Sequence, residues 1–167
     1  MIIVEQERMK TLQHGFTLME MMAVLAIIAI LALMAVPSYM DRTVRQQIEA
    51  ALPLADIAKK PVADAWGQLF AFPADNAAAG LPVPEKVVSN HVSSLSVENG
   101  AIQITFGNRV SKAISGKVLS LRPAVVADAP VVPVAWVCGN AQAPEIMAIQ
   151  GVNRTNVPVS FLPLACR

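Results

Sequence analysis

FTLMEMMAVLAIIAILALMAV, residues 16–36, decides how the rest of the chain is read. Its twenty-one residues hold one ionisable side chain, Glu20, and Gly15 stands directly before it. As a helix, a run of this length reaches about 31 Å, enough to span a bilayer. A carboxylate one turn into such a helix costs roughly 2.5–3.5 kcal/mol if placed near the membrane centre. So expensive a charge implies a task and a cationic partner.

Working outward, residues 1–15 are polar, carry Arg8 and Lys10, and have no apolar core of their own. A secretory signal is cut after its apolar region, near small residues. Here Ala32, Ala35 and Val36 lead straight into Pro37-Ser38-Tyr39, with no such junction. Cutting after Gly15 instead leaves Phe16 with a free amine, four residues from Glu20. A cationic amine is the partner that Glu20 needs.

Gly15-Phe16-Thr17-Leu18-Met19-Glu20, the apolar run through Ile30, and Pro37-Ser38-Tyr39 together resemble the prepilin signature of type IV pilins. The resemblance implies an inner-membrane prepilin peptidase that cuts between Gly15 and Phe16 and methylates the new N-terminus at Phe16. It places the family's assembly glutamate at Glu20 and its helix-curving proline at Pro37. The implied organisation is a cleaved leader (1–15), a transmembrane and assembly half-helix (16–36), an amphipathic half-helix (37–68) and a globular head (69–167). Two departures stand out. The leader is long for a phenylalanine-first pilin, and residues 9–15 alone would make an ordinary short basic leader, so translation is expected to start at Met9. Ala29 also stands where many relatives carry a helix-loosening glycine, which removes the basis for expecting a melted segment there.

Hydrophobic residues make up 54% of the chain and charged residues 15%, as suits a membrane-tethered globular protein more than a soluble enzyme. The residues beyond the anchor are enough for one modest core, hence one domain. The formal charge of +1 is unchanged by loss of Glu5, Glu7, Arg8 and Lys10 with the leader, and implies no global nucleic-acid field. The stretch 123–133, rich in Ala, Val and Pro, reads as a loop.

Beyond Pro37, Val44, Ile48, Leu52, Ala55, Val62, Trp66 and Leu69 recur largely at helical spacing, with charged residues on other faces. This predicts an amphipathic continuation of the first helix, bent and ending near Trp66-Gly67, with Pro53 and Pro61 as the points where it could break. Pro73, Asn76, Gly80, Pro82 and Pro84 then mark a connection. Residues 95–98 and 101–106 alternate around Asn99-Gly100, a strong hairpin signal. Residues 117–123 and 134–138 supply two further strands. The expected class is α+β, a long N-terminal helix on a four-stranded antiparallel sheet.

The order of these head motifs extends the resemblance over nearly the whole chain, with Ala135-Trp136-Val137-Cys138 and the closing Leu162-Pro163-Leu164-Ala165-Cys166-Arg167. Such a head would lie outside the inner membrane, where oxidation is favoured, so Cys138 and Cys166 read as a disulfide bounding the loop 138–166. That bridge would contribute roughly 3–4 kcal/mol through chain entropy. The alternative is a pair of free structural thiols. Metal ligation is poorer, because His14 and His91 do not complete a zinc spacing with two cysteines.

Catalytic and cofactor readings fail on inventory. There is no G-x-S-x-G elbow, and outside the leader only His91 could act as a histidine base. Around Gly116-Lys117, Ser111 and Val118 replace residues that a phosphate loop requires. Asn153-Arg154-Thr155 is a formal glycosylation sequon, a weak three-residue match. His91 reads as a half-buried residue at a strand edge.

The function expected is that of a structural subunit of a type IV pilus, serving adhesion, motility or DNA uptake. Its partners would be other pilin subunits, the prepilin peptidase, the inner-membrane assembly platform and, before assembly, the membrane itself. The precursor would sit in the inner membrane with a periplasmic head, then pass into an extracellular fibre. Alternatives are a minor pilin at the tip, a type II secretion pseudopilin, or a DNA-binding subunit using Arg109, Lys112, Lys117 and Arg122. Nucleic acid is the less favoured partner, since no aromatics interleave with those cations.

Overall fold

Thr17 opens the first helix, α1 (Leu18–Ala51). Its Oγ1 accepts the Glu20 backbone N–H at 3.2 Å, and its carbonyl accepts that of Met21 at 3.1 Å. The first satisfies one of the N–H groups that a helix start leaves without a partner, and the second is the first regular turn of the helix. The computed structural model describes residues 15–167, so the reading of Met9 as the start and of residues 1–14 as leader lies outside the described residues. The chain divides into the units Met1–Ser38 and Tyr39–Arg167.

In the first unit, residues 18–35 are helical and all exposed. Leu, Met, Ala and Ile dominate, and mean hydropathy over the most apolar window is 2.6, so the helix is long and apolar enough to cross a membrane.

In the second unit, α1 ends at Ala51 and a 3-10 turn, Leu52–Ala55, leads into α2 (Asp56–Leu69). Pro53 sits in that turn and Pro61 inside α2. The expected weak points therefore resolve into one local tightening at Pro53, while the helix tolerates Pro61. Val44, Ile48, Ala51, Ala55, Ala58 and Val62 form the buried stripe. Their spacing alternates four and three residues across the 3-10 turn, so the change of helix type does not rotate the face away from the core. Leu52 and Trp66 are half-buried, and Leu69, read as part of the stripe, is 72% exposed. The stripe ends at Val62 because α2 stops two turns later. There the Phe70 backbone N–H donates to the Trp66 carbonyl, with Phe70 left-handed at φ 53°.

Facing this stripe is an antiparallel sheet of β1 (Val92–Glu98), β2 (Ala101–Phe106), β3 (Val118–Val125) and β4 (Ala135–Cys138), in that order. Val92, Leu95, Val97, Ile102, Ile104, Phe106, Leu119 and Leu121 of the sheet belong to the same core. Asn99 (φ 47°) and Gly100 (φ 83°) make the two-residue turn between β1 and β2, with Glu98 opposite Ala101. Two positive φ values in succession are what a hairpin of this length demands.

The four expected strands are all present, with one addition and one loop reading to correct. The sheet gains a fifth strand, β5 (Ala148–Ile149), paired with β3 through Ala124 and Val125. At two residues it is too short to show any periodicity. The stretch 123–133 is also not all loop, since Pro123, Ala124 and Val125 belong to β3. Proline fits there because β2 pairing ends at Leu121 and β5 pairing begins at Ala124. In that gap its carbonyl accepts the Gln150 N–H at 2.8 Å, and no ladder bond is needed from its nitrogen.

The connection after α2 is held by Asn76, which is buried. Its Nδ2 donates to the Pro82 and Leu95 carbonyls, and its Oδ1 accepts the Val97 N–H. One side chain thus satisfies backbone groups on the free edge of β1, an edge that would otherwise invite strand addition.

Candidate assembly site

The first turn of α1 carries the residues singled out for processing and assembly. Gly15, Phe16, Thr17 and Glu20 surround one open concavity. Phe16 is 75% exposed. Among the described residues, the Glu20 carboxylate has no ion-pair partner. It lies in the first turn, where the helix dipole favours negative charge.

Thr17 is the residue that the sequence reading passed over. Thr17-Leu18-Met19-Glu20 before an apolar run is a capping-box pattern, so the signal was present. Its effect is to fix where the helix begins, with Leu18 as the first helical residue. Position 37 is helical within α1.

Cys138 and Cys166 are joined by a disulfide with their Cα atoms 4.5 Å apart. Cys138 ends β4, and Cys166 lies in a 3-10 turn, Leu164–Cys166. The Asn140 N–H donates to the Cys166 carbonyl, and Gly139, at φ 56°, lets that carbonyl approach. Inside the bridged loop a buried polar network ties residues 152–156 to the sheet. Ser120 Oγ donates to Gln103 Oε1 and accepts the Arg154 N–H, while Gln103 Nε2 donates to the Val152 carbonyl. The glycosylation-type triplet is used in the same fastening. Asn153 Nδ2 donates to the Gly139 carbonyl and to Asn140 Oδ1, and Thr155 Oγ1 accepts the Ser120 N–H.

The remaining candidates fall in different places. Arg109 and Lys112 lie on the exposed β2–β3 loop and Lys117 at its end, whereas Arg122 donates to the Gly139 carbonyl and is not part of that group. His91 is half-buried immediately before β1. Among the described residues there is no cluster of three His, Cys, Asp or Glu suited to a metal ion.

A comparison with known families matches residues 44–167 to the family described as Pilin (bacterial filament). The chain belongs to the pilin family. Its N-terminal part, residues 10–36, matches the prokaryotic N-terminal methylation motif. The pilin is 36% identical over 165 residues to the type IV major pilin protein PilE of Neisseria gonorrhoeae, covering 95% of this chain and 96% of that protein. A fimbrial protein of Neisseria meningitidis serogroup B is 33% identical over 168 residues, with 95% and 96% covered. The fimbrial protein EcpC of Eikenella corrodens is 35% identical over 117 residues, with 68% and 76% covered. The resemblance carried by residues 15–39 and by the head is thus borne out, and the pilin is a structural pilus subunit.

Proposed function

We propose that this pilin is the major subunit of a type IV pilus, made as a membrane-anchored precursor and polymerised through its first helix. Residues 1–15 are the leader, removed by a prepilin peptidase between Gly15 and Phe16, with methylation of the Phe16 amine. Residues 16–36 hold the precursor in the inner membrane, its head on the periplasmic side, until an assembly platform draws it into the extracellular fibre. The match to the methylation motif supports this processing. The naming of its relatives as type IV major pilins supports abundance in the fibre.

One observation carries the mechanism: a lone carboxylate, without a cationic partner among the described residues, one turn into a fully exposed apolar helix. Cleavage creates the missing cation at Phe16. On a neighbouring subunit, that amine pairs with Glu20, and only one axial stagger brings the two together. Methylation keeps the nitrogen cationic, so the pair persists. Non-directional contacts among Leu, Ile, Val and Met then hold the bundle. Proline lacks a backbone N–H, and the resemblance gives position 37 the role of curving the helix.

The test is Glu20→Ala. Removing one partner of a desolvated pair costs about 3–5 kcal/mol. The variant should still be cleaved and membrane-inserted, but nearly absent from sheared filaments. Normal filament yield would refute the pairing. Weighing this chain against total protein in sheared fibres separates a major subunit from a minor one at the tip.

A further inference from the structure

Of the eight head cations without an ion-pair partner among the described residues, five lie at one end. The chain enters the head at Tyr39. Two hydrogen bonds fix what lies beside this stretch of α1: the Ser111 N–H donates to Gln47 Oε1 at 2.9 Å, and the Arg45 guanidinium donates to the Ser160 carbonyl at 2.8 Å. The loop 107–117 is joined in turn to residues 90 and 91, through Arg109 N–H to the Asn90 carbonyl and Gly107 N–H to the His91 carbonyl. Arg42, Arg45, Arg109, Lys112 and Lys117 therefore share one end of the head.

Residues 89–92, 107–117 and 157–166 contain no Asp or Glu, and residues 39–47 contain only Asp41. Five cations less Asp41, and less Glu49 on the next turn of α1, leave +3 on this end, against +1 for the whole chain. The ion pairs among the described residues all lie elsewhere: Asp56 with Lys59 and Lys60 with Asp64 on α2, and Glu98 with Arg154 beside the hairpin turn. Arg42, Arg109 and Lys112 are exposed. Like charges crowded without internal partners call for an anion from outside. The apolar run 16–36 leads into this end in sequence, and Arg42 and Arg45 are the first cations after it. Arg42 lies six residues past Val36, about 9 Å of helix, comparable to a Debye length of about 8 Å.

We propose that this end of the head is a docking surface for anionic phospholipid, holding the head against the membrane until assembly lifts it away. The inference rests on the membrane-anchored reading of residues 16–36. Basic residues beside an apolar anchor are attracted to anionic headgroups in this way. The competing occupant is an acidic face of a second copy of the chain.

The full chain, reconstituted in vesicles of phosphatidylcholine with or without phosphatidylglycerol, provides the test. A fluorophore is attached at Ser115→Cys in the basic loop, with Ala127→Cys in the β3–β4 loop as control, and headgroup nitroxide lipids serve as quencher. The Ser115 probe should be quenched more strongly in phosphatidylglycerol vesicles. The difference should fade when salt rises from ~10 mM to ~1 M, shortening the Debye length from about 30 to about 3 Å. Reversing Arg42, Arg109 and Lys112 to Glu should abolish it, with a loss of about fivefold in the docking equilibrium constant per cation removed. Equal quenching in both lipids, or quenching that survives reversal, would overturn the proposal. So would a signal that follows protein density instead of lipid charge, which would assign the surface to a second copy. A chain that fails to float with vesicles would remove the anchor reading and this inference together. Flotation without charge dependence would remove this inference alone.

Discussion

At the scale of single residues, the fold depends on a few side chains whose partners lie far away in sequence. Asn76 satisfies three backbone groups at once, at Pro82, Leu95 and Val97. Asn76→Ala should lower stability by about 1–3 kcal/mol for each buried group left unpaired, read as a fall in the midpoint of thermal unfolding. Gly100 combines φ 83° with a Cβ position 2.7 Å from the Phe72 ring. Gly100→Ala should therefore cost about 1–3 kcal/mol from backbone strain, with the ring collision added. A denaturant titration showing no loss would place the turn's importance elsewhere. The two residues differ in legibility. Asn99-Gly100 announces its turn locally, because two adjacent positive φ values demand those residue types. Asn76 reads only as a loop residue, since its partners are set by tertiary placement.

At the scale of elements, the amphipathic helix was legible because its period survives the Pro53 turn. Val44, Ile48, Ala55 and Val62 were readable as the core face from spacing alone, whereas Leu69 was not readable as exposed. Its position continues the stripe, and only the left-handed stop at Phe70 takes it out. The small residues Ala51, Ala55 and Ala58 allow close approach to the sheet, and Ile48 supplies the bulk beside them. Ile48→Ala should destabilise the head by about 2–5 kcal/mol, measured by chemical unfolding of the full chain in detergent. β5 escaped notice because two residues carry no alternation, and the continuation of β3 to Val125 because a proline at 123 argues for a strand end unless the ladder is known to have a gap there. Phe72 joins elements in another way, stacking on Trp66 at 5.0 Å between ring centroids while packing on the hairpin turn. Nothing in the spacing of those residues foretells it.

At the scale of the whole molecule, two different physical problems are solved in one chain. The apolar helix is soluble only in lipid or in a bundle of its own kind, and the head must keep its fold as part of a pilus. Cysteine usage addresses the second problem: the bridge closes a separation of 28 residues around a segment with little regular structure. Reducing it should cost roughly 3–4 kcal/mol in the chain-entropy account. The midpoint of thermal unfolding should fall on treatment with dithiothreitol, and Cys138→Ser with Cys166→Ser should reproduce the fall. The first problem is addressed by the 16–36 run and its single carboxylate, which were legible at once because an ionisable group inside twenty-one apolar residues has few physical explanations. The most direct test of that explanation is the N-terminal mass of protein sheared from the cell surface. A terminal peptide beginning at a methylated Phe16 is the predicted result. A chain still carrying residues 1–15, or one that begins after Val36, would contradict the account.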